Sequence, residues 1–306
     1  MRRQKKKFKN TLIALIVLVA AVCILWFVVP GEAAEPVASG GGEASEVSEV
    51  SETGEVSEGS EDTGQTEEEV ITDQETGPKR PWFYDEARSG RYEAFASKSP
   101  WLSFDDVVWR VNVNLDLGPY EDPSEVIDPY SLTALVNKFF KLPSDFSPPD
   151  LVQIGNSMLR EEAASAMNEM IEDARAEGHQ LWVQSGYRSY DVQANLYSQY
   201  SARDGEEGAD MYSAKPGHSE HQLGLAADFN TITDAFGDRP EGIWAKENSW
   251  KYGFIIRYTF ENMDITFYKP EPWHVRYIGR DAAAAMQESG ILSFEEFWVK
   301  YVAFVN

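Results

Sequence analysis

The sequence predicts an α+β fold, a small antiparallel sheet with flanking helices, on three observations. The segment Leu151 to Gly178 (LVQIGNSMLREEAASAMNEMIEDARAEG) places Leu159, Ala163, Ala166, Met167, Met170, Ile171 and Ala174 near helical spacing and ends on a glycine. The strand-like runs are short: Leu181-Trp182-Val183, the alternating Leu225 to Ile232 (LAADFNTI), and Trp273 to Tyr277. Helices and strands follow one another without a regular β-α-β cadence, which argues against a doubly wound parallel sheet.

Taken in order, the helix over 151–178 is followed by His179, a cation at the helix end where the dipole favours one. The strand at 181–183 leads into a turn, Ser185-Gly186-Tyr187-Arg188-Ser189-Tyr190, and a second helix is expected from Asp191 to Tyr200. Trp244, Trp250, Tyr252 and Tyr258 read as core residues rather than a sugar-stacking platform.

The 306 residues carry 51 acids against 27 Lys and Arg, a formal net charge of -24. That balance excludes a nucleic-acid binder, which needs a basic face, and the one dense basic run is MRRQKKKFKN at residues 1–10. Residues 11–29 (TLIALIVLVAAVCILWFVV) are uncharged and apolar. As a helix they would extend roughly 28 Å, enough for one membrane crossing. The six cations before them place the N-terminus in the cytoplasm and the rest of the chain on the extracytoplasmic side. A cleaved signal peptide is the competing reading, with Gly31-Glu32-Ala33 as its cleavage site, but the run is longer than an ordinary h-region. Residues 30–80 hold 15 acids and only Lys79 and Arg80 as bases, repeat Ser-Glu-Val and contain no aromatic residue. Such a composition predicts a disordered acidic stalk. The folded part is expected from Pro81, as an N-terminal extension over 81–134 and a catalytic domain over 135–306.

The single cysteine, Cys23, lies in the apolar run, so neither a disulfide scaffold nor a cysteine-based zinc site is open. A catalytic zinc site needs only three ligands from His, Asp and Glu, with a position left for water. Of the four histidines, His218, His221 and His274 fall in short segments dense in Gly, Pro and carboxylates. His221, Asp228 and His274 make one candidate set, with Glu271 left as a base, and by spacing alone His218 could replace His221. Pro272 pushes Glu271 toward an extended conformation, so Glu271 and His274 can converge only if the chain turns at Pro272. Gly217 and Gly224 bracket His221 and would permit tight turns there.

The runs Ser185-Gly186-Tyr187-Arg188, Ser219-Glu220-His221 through Asp228, and Glu271-Pro272-Trp273-His274 resemble the zinc D-alanyl-D-alanine carboxypeptidases of the VanY type. These share a fold with the D-Ala-D-Ala dipeptidases and the Hedgehog signalling domain. The likeness extends from about Leu135 to the C-terminus and favours His221 over His218. It implies Zn2+ held by His221, Asp228 and His274, Glu271 as general base and then acid, and Arg188 beside the substrate carbonyl. It implies that Ser219 and Gln193 contact the substrate, Ser219 near the terminal carboxylate. The expectation is a single-pass, membrane-anchored enzyme removing the C-terminal D-Ala from peptidoglycan stem peptides. The alternatives are an L,D-carboxypeptidase acting on tetrapeptide stems and a cell-wall binding module without catalysis.

Overall fold

Helices α1 (Ser89–Lys98) and α2 (Phe104–Asn112) come first in the computed structural model, which describes residues 79–304. Ser103 starts α2: its hydroxyl accepts the Asp106 N–H, and Asp105 and Asp106 sit in the first turn, where the helix dipole favours acids. A two-residue parallel bridge, β1 (Ser124–Glu125) with β2 (Phe140–Lys141), follows.

The helix expected over 151–178 is corrected in its first ten residues, which form a hairpin of β3 (Leu151–Ile154) and β4 (Ser157–Arg160). The physical reason is Gly155-Asn156, a two-residue turn with Gly155 at φ 55°, which ends any helix and pairs Leu151 with Arg160. Helix α3 (Glu161–Ala176) then begins on two acids, Glu161 and Glu162. Its end is a Schellman motif, in which Gly178 at φ 89° donates to the Arg175 carbonyl and His179 to the Ala174 carbonyl. His179 therefore closes the helix through its backbone N–H.

The next strand, β5 (Val183–Ser185), lies two residues later than its apolar run. Ser189 caps α4 (Tyr190–Asp210), which outruns the expected 191–200 and is broken at Gly205, φ 76°. Besides further short 3-10 and π turns, there follow a 3-10 turn at Glu220–Leu223, β6 (Ala226–Phe229), α5 (Pro240–Asn248), β7 (Phe254–Ile256), α6 (Met263–Thr266), β8 (His274–Tyr277), α7 (Arg280–Ser289) and α8 (Phe294–Trp298).

The main sheet has the order β5-β6-β8-β7, antiparallel throughout. Side chains alternate across a strand, so each strand serves two layers. Ala227, Phe229, Val275, Tyr277 and Phe254 face a core built with Met167 and Met170 of α3 and with Trp244 and Ala245 of α5. Asp228, His274 and Arg276 alternate with these residues and therefore occupy the opposite face. A second cluster joins Phe83, Tyr92 and the buried residues of α2 to Ile255, Phe294, Phe297 and Val299. Trp244, Tyr252 and Tyr258 are buried, and Trp250 is half-buried against the second cluster.

Among the described residues, no helix is long and apolar enough to cross a membrane. The expected basic tail (1–10), anchor (11–29) and all but the last two residues of the linker (30–80) lie outside the described residues.

Candidate metal centre

Strand pairing brings two chemical groups face to face. Asp228 on β6 lies opposite His274 on β8 in the antiparallel register. The third group, His221, sits in the 3-10 turn that enters β6. Gly224 closes that turn at φ 66°, where a Cβ would meet Leu151 Cδ2 at 2.8 Å, so a close approach and a left-handed backbone both favour glycine. Ligand atoms of His221, Asp228 and His274 all lie within 4.8 Å of one another, and all three residues are buried. His218 stands apart, its Nδ1 2.8 Å from the Asn137 carbonyl and its ring edge-on to Tyr120.

The tautomers follow from the partners. His221 Nδ1 lies 2.7 Å from the Gly186 carbonyl, which fixes the proton there and leaves Nε2 as a lone pair. That Nε2 is buried without a hydrogen-bond partner, although Asp228 Oδ2 is 3.4 Å away. Gly186 passes close against β4: a Cβ would lie 2.5 Å from the Met158 carbonyl oxygen. His274 places Nδ1 3.1 Å from Asp228 Oδ1 and Nε2 3.2 Å from Glu220 Oε2. An orphaned nitrogen aimed at a carboxylate and a second imidazole is a donor set suited to a dication.

Glu271 reaches the triad through the turn its sequence demanded. The His274 N–H donates to the Glu271 carbonyl at 3.0 Å across Pro272-Trp273, and Glu271 Oε2 lies 4.0 Å from His274 Nδ1. Burial pushes the Glu271 carboxyl up to about 8, with Asp228 adding to the rise and His274 opposing it. Burial also works against Asp228, but the neighbouring imidazoles hold its carboxyl well below the usual range. Burial and then Arg188 lower His221. For His274, burial is outweighed by the hydrogen bonds to Asp228 and Glu220, which hold the ring up at about 9.

Arg188 follows the β5 turn, its backbone N–H on the His221 carbonyl and its Nη2 3.9 Å from Asp228 Oδ2. Its Nε is buried and unpaired. Gln193, on the first turn of α4, donates Nε2 to the Ala214 carbonyl at 2.8 Å and leaves its buried Oε1 without a partner. Ser219 precedes the 3-10 turn. All three line one open cleft of about 470 Å³ with Glu271 and the triad, and Tyr200, Arg203, Tyr212 and Lys269 form more of its wall.

Sequence reasoning missed Glu220, Arg257 and Arg276. Glu220 read as an ordinary carboxylate between Ser219 and His221, yet it is fully buried against both arginines and His274. A signal was present, because Arg257 and Arg276 interrupt the apolar runs FIIRY and HVRY, and a buried arginine needs an acid.

A small antiparallel sheet carrying a His/Asp/His triad on one face, beside a carboxyl and a guanidinium in an open cleft, is the layout of a mononuclear metallohydrolase. Residues 156–280 match the sequence family described as VanY: D-alanyl-D-alanine carboxypeptidase. YodJ of Bacillus subtilis (strain 168), described as a candidate carboxypeptidase, is 39% identical over 201 residues, 60% of this chain and 73% of YodJ. A D-alanyl-D-alanine carboxypeptidase of Enterococcus faecium is 36% identical over 143 residues, 46% of this chain and 44% of that protein. The solved structure of the LdcB LD-carboxypeptidase is 38% identical with a TM-score of 0.55, covering 59% of this chain and 91% of LdcB. The chain belongs to the VanY family of D-alanyl-D-alanine carboxypeptidases.

Proposed function

We propose that this protein is a zinc-dependent D,D-carboxypeptidase that removes the C-terminal D-Ala from peptidoglycan stem peptides. The observation that carries the reading is the partnerless, buried His221 Nε2 converging with Asp228 and His274 beside Glu271, in a chain of this family. His221 Nε2, an Asp228 carboxylate oxygen and His274 Nδ1 would hold the ion. When bound, zinc supplies Lewis acidity, polarising the scissile carbonyl and making water nucleophilic near neutral pH.

The chain's own groups do the rest. Glu271, raised toward neutrality by burial, takes a proton from the attacking water on its carboxylate and returns it to the leaving amine. Arg188 donates to the carbonyl oxygen as charge develops there, with no reorganisation of its guanidinium. Ser219 and Gln193 hold the terminal residue, Gln193 through the Oε1 that has no protein partner. The apolar run 11–29 anchors the chain in the membrane, and the acidic stretch 30–80 carries the enzyme outward toward the wall.

A second reading, removal of D-Ala from tetrapeptide stems by cutting an L,D bond, is favoured by the likeness to LdcB. Mass analysis of products from pentapeptide and tetrapeptide stems, with and without a chelator, separates the two. Chelator-sensitive loss of D-Ala from the pentapeptide is expected. Loss from the tetrapeptide alone would establish the L,D activity, and no loss from either with zinc bound would leave a wall-binding module. External protease acting on intact cells should release the folded part if the anchor reading holds.

A further inference from the structure

We propose that Glu220 is a positioning residue that fixes which nitrogen of His274 faces the metal, and that the ion network behind it reaches into the C-terminal helix α8. The proposal rests on the zinc reading above.

His274 is held from both ends, by Asp228 on Nδ1 at 3.1 Å and by Glu220 Oε2 on Nε2 at 3.2 Å. The Tyr258 ring lies over it, centroids 5.0 Å apart at 38°, and obstructs a flip of the imidazole. Each nitrogen faces a carboxylate, but Asp228 would itself hold the ion whereas Glu220 is tied to two arginines, so Nδ1 is the nitrogen that would turn its lone pair to the ion and Nε2 the one that keeps its proton. Glu220 cannot drift from this role. Its Oε1 accepts from Arg257 Nε at 2.8 Å and from Arg276 Nη1 at 3.1 Å. Arg257 in turn donates from Nη2 to Glu295 Oε1 at 2.6 Å and from Nη1 to Oε2 at 3.1 Å, and Asn137 donates to Oε1 at 3.0 Å. The side chains of Glu220, Arg257, Arg276 and Glu295 have no exposed surface.

Such a network is a poor device for stability alone, because apolar residues of the same volume stabilise as well or better. Its charges cancel, two acids against two arginines, and the one oxygen that faces neither guanidinium, Glu220 Oε2, is directed at His274. Glu295 lies beyond residue 280, outside the stretch that matches the family, so a segment outside that stretch helps to orient a ligand in the centre.

The test measures zinc affinity of the full chain by chelator competition for wild type, Glu220→Gln, Glu295→Gln and Phe297→Ala. Glu220→Gln should raise the zinc dissociation constant about 10- to 100-fold. Glu295→Gln, which leaves Arg276 on Glu220, should raise it less. Phe297→Ala, a core truncation on the same helix that removes none of the charged groups of the network, should leave it unchanged. Unaltered affinity in Glu220→Gln, or an equal loss in Phe297→Ala, overturns the proposal. Should Glu220→Gln fail to fold, the wild type decides through nitrogen-15 spectra of labelled histidine in the zinc-loaded chain. A protonated, slowly exchanging His274 Nε2 with Nδ1 ligated supports the proposal, and ligation through Nε2 overturns it. Release of D-Ala is scored on the same sample. Zinc bound through Nδ1 without release defeats only the carboxypeptidase reading, release with Nε2 ligated defeats only the positioning role, and failure to bind zinc defeats both.

Discussion

Glu271 shows how a residue's chemistry depends on where the fold buries it. Its ordinary pKa of 4.5 rises to about 8 because the turn at Pro272 carries it out of water, beside Asp228. Below pH 4.5 both the folded and the unfolded chain hold its proton. Between 4.5 and 8 only the folded chain does, so the stability of the metal-free protein falls as pH rises through this window. Above 8 the full penalty is present. Glu271→Gln should remove it, making the chelator-treated variant more stable than wild type above pH 8 by several kcal/mol, at most about 5, relative to their difference below 4.5. Urea titrations across the pH range check this. The same variant should lose at least about 100-fold in turnover while keeping near-stoichiometric zinc. Retained turnover would end the role given to Glu271.

At the scale of elements, the centre depends on short turns that bring strands β6 and β8 into register. Gly224→Ala places a Cβ 2.8 Å from Leu151 Cδ2 at a φ of 66°. The left-handed backbone and the overpacking should together cost about 2 to 4 kcal/mol, read as a lower urea midpoint with an unchanged slope. This turn was legible in the sequence, because glycines bracketing His221 have few other uses. So was the turn at Pro272, required if Glu271 and His274 were to meet. The hairpin at 151–160 was hidden: Leu159 fell into phase with the apolar stripe of α3, and periodicity cannot tell the end of a strand from the first turn of a helix. Only the Gly155-Asn156 pair distinguished them. The alternation of β8 concealed as much as it revealed, since His274 and Arg276 share a face but the partner of Arg276 lies 56 residues away at Glu220.

Over the whole molecule, one face of the sheet is closed by the core with α3 and α5, and the second cluster packs the N-terminal helix α2 with the C-terminal helix α8. Phe294 is almost fully buried there and lies under the Arg257 and Arg276 guanidiniums at 5.6 and 5.5 Å. Phe294→Ala should cost about 3 to 5 kcal/mol, measured by thermal or urea unfolding of the zinc-loaded chain. A cost under 1 kcal/mol would mean that this cluster contributes little to the folded state.

The sequence by itself determined the class of chemistry. With Cys23 in the apolar run, a metal site could use only imidazole and carboxylate, and His221, Asp228, Glu271 and His274 stood at spacings matching a known pattern. It also determined the turns at Gly224 and Pro272, because glycine and proline act through their own backbones. The tertiary structure alone decided that His221 Nε2 is left without a partner, that Glu271 is buried, and that Glu220 is held by two arginines and through Arg257 coupled to Glu295. Those properties arise between residues distant in the chain. Their energies come from desolvation and from hydrogen bonds across packed elements, neither of which leaves a period or a spacing in the sequence.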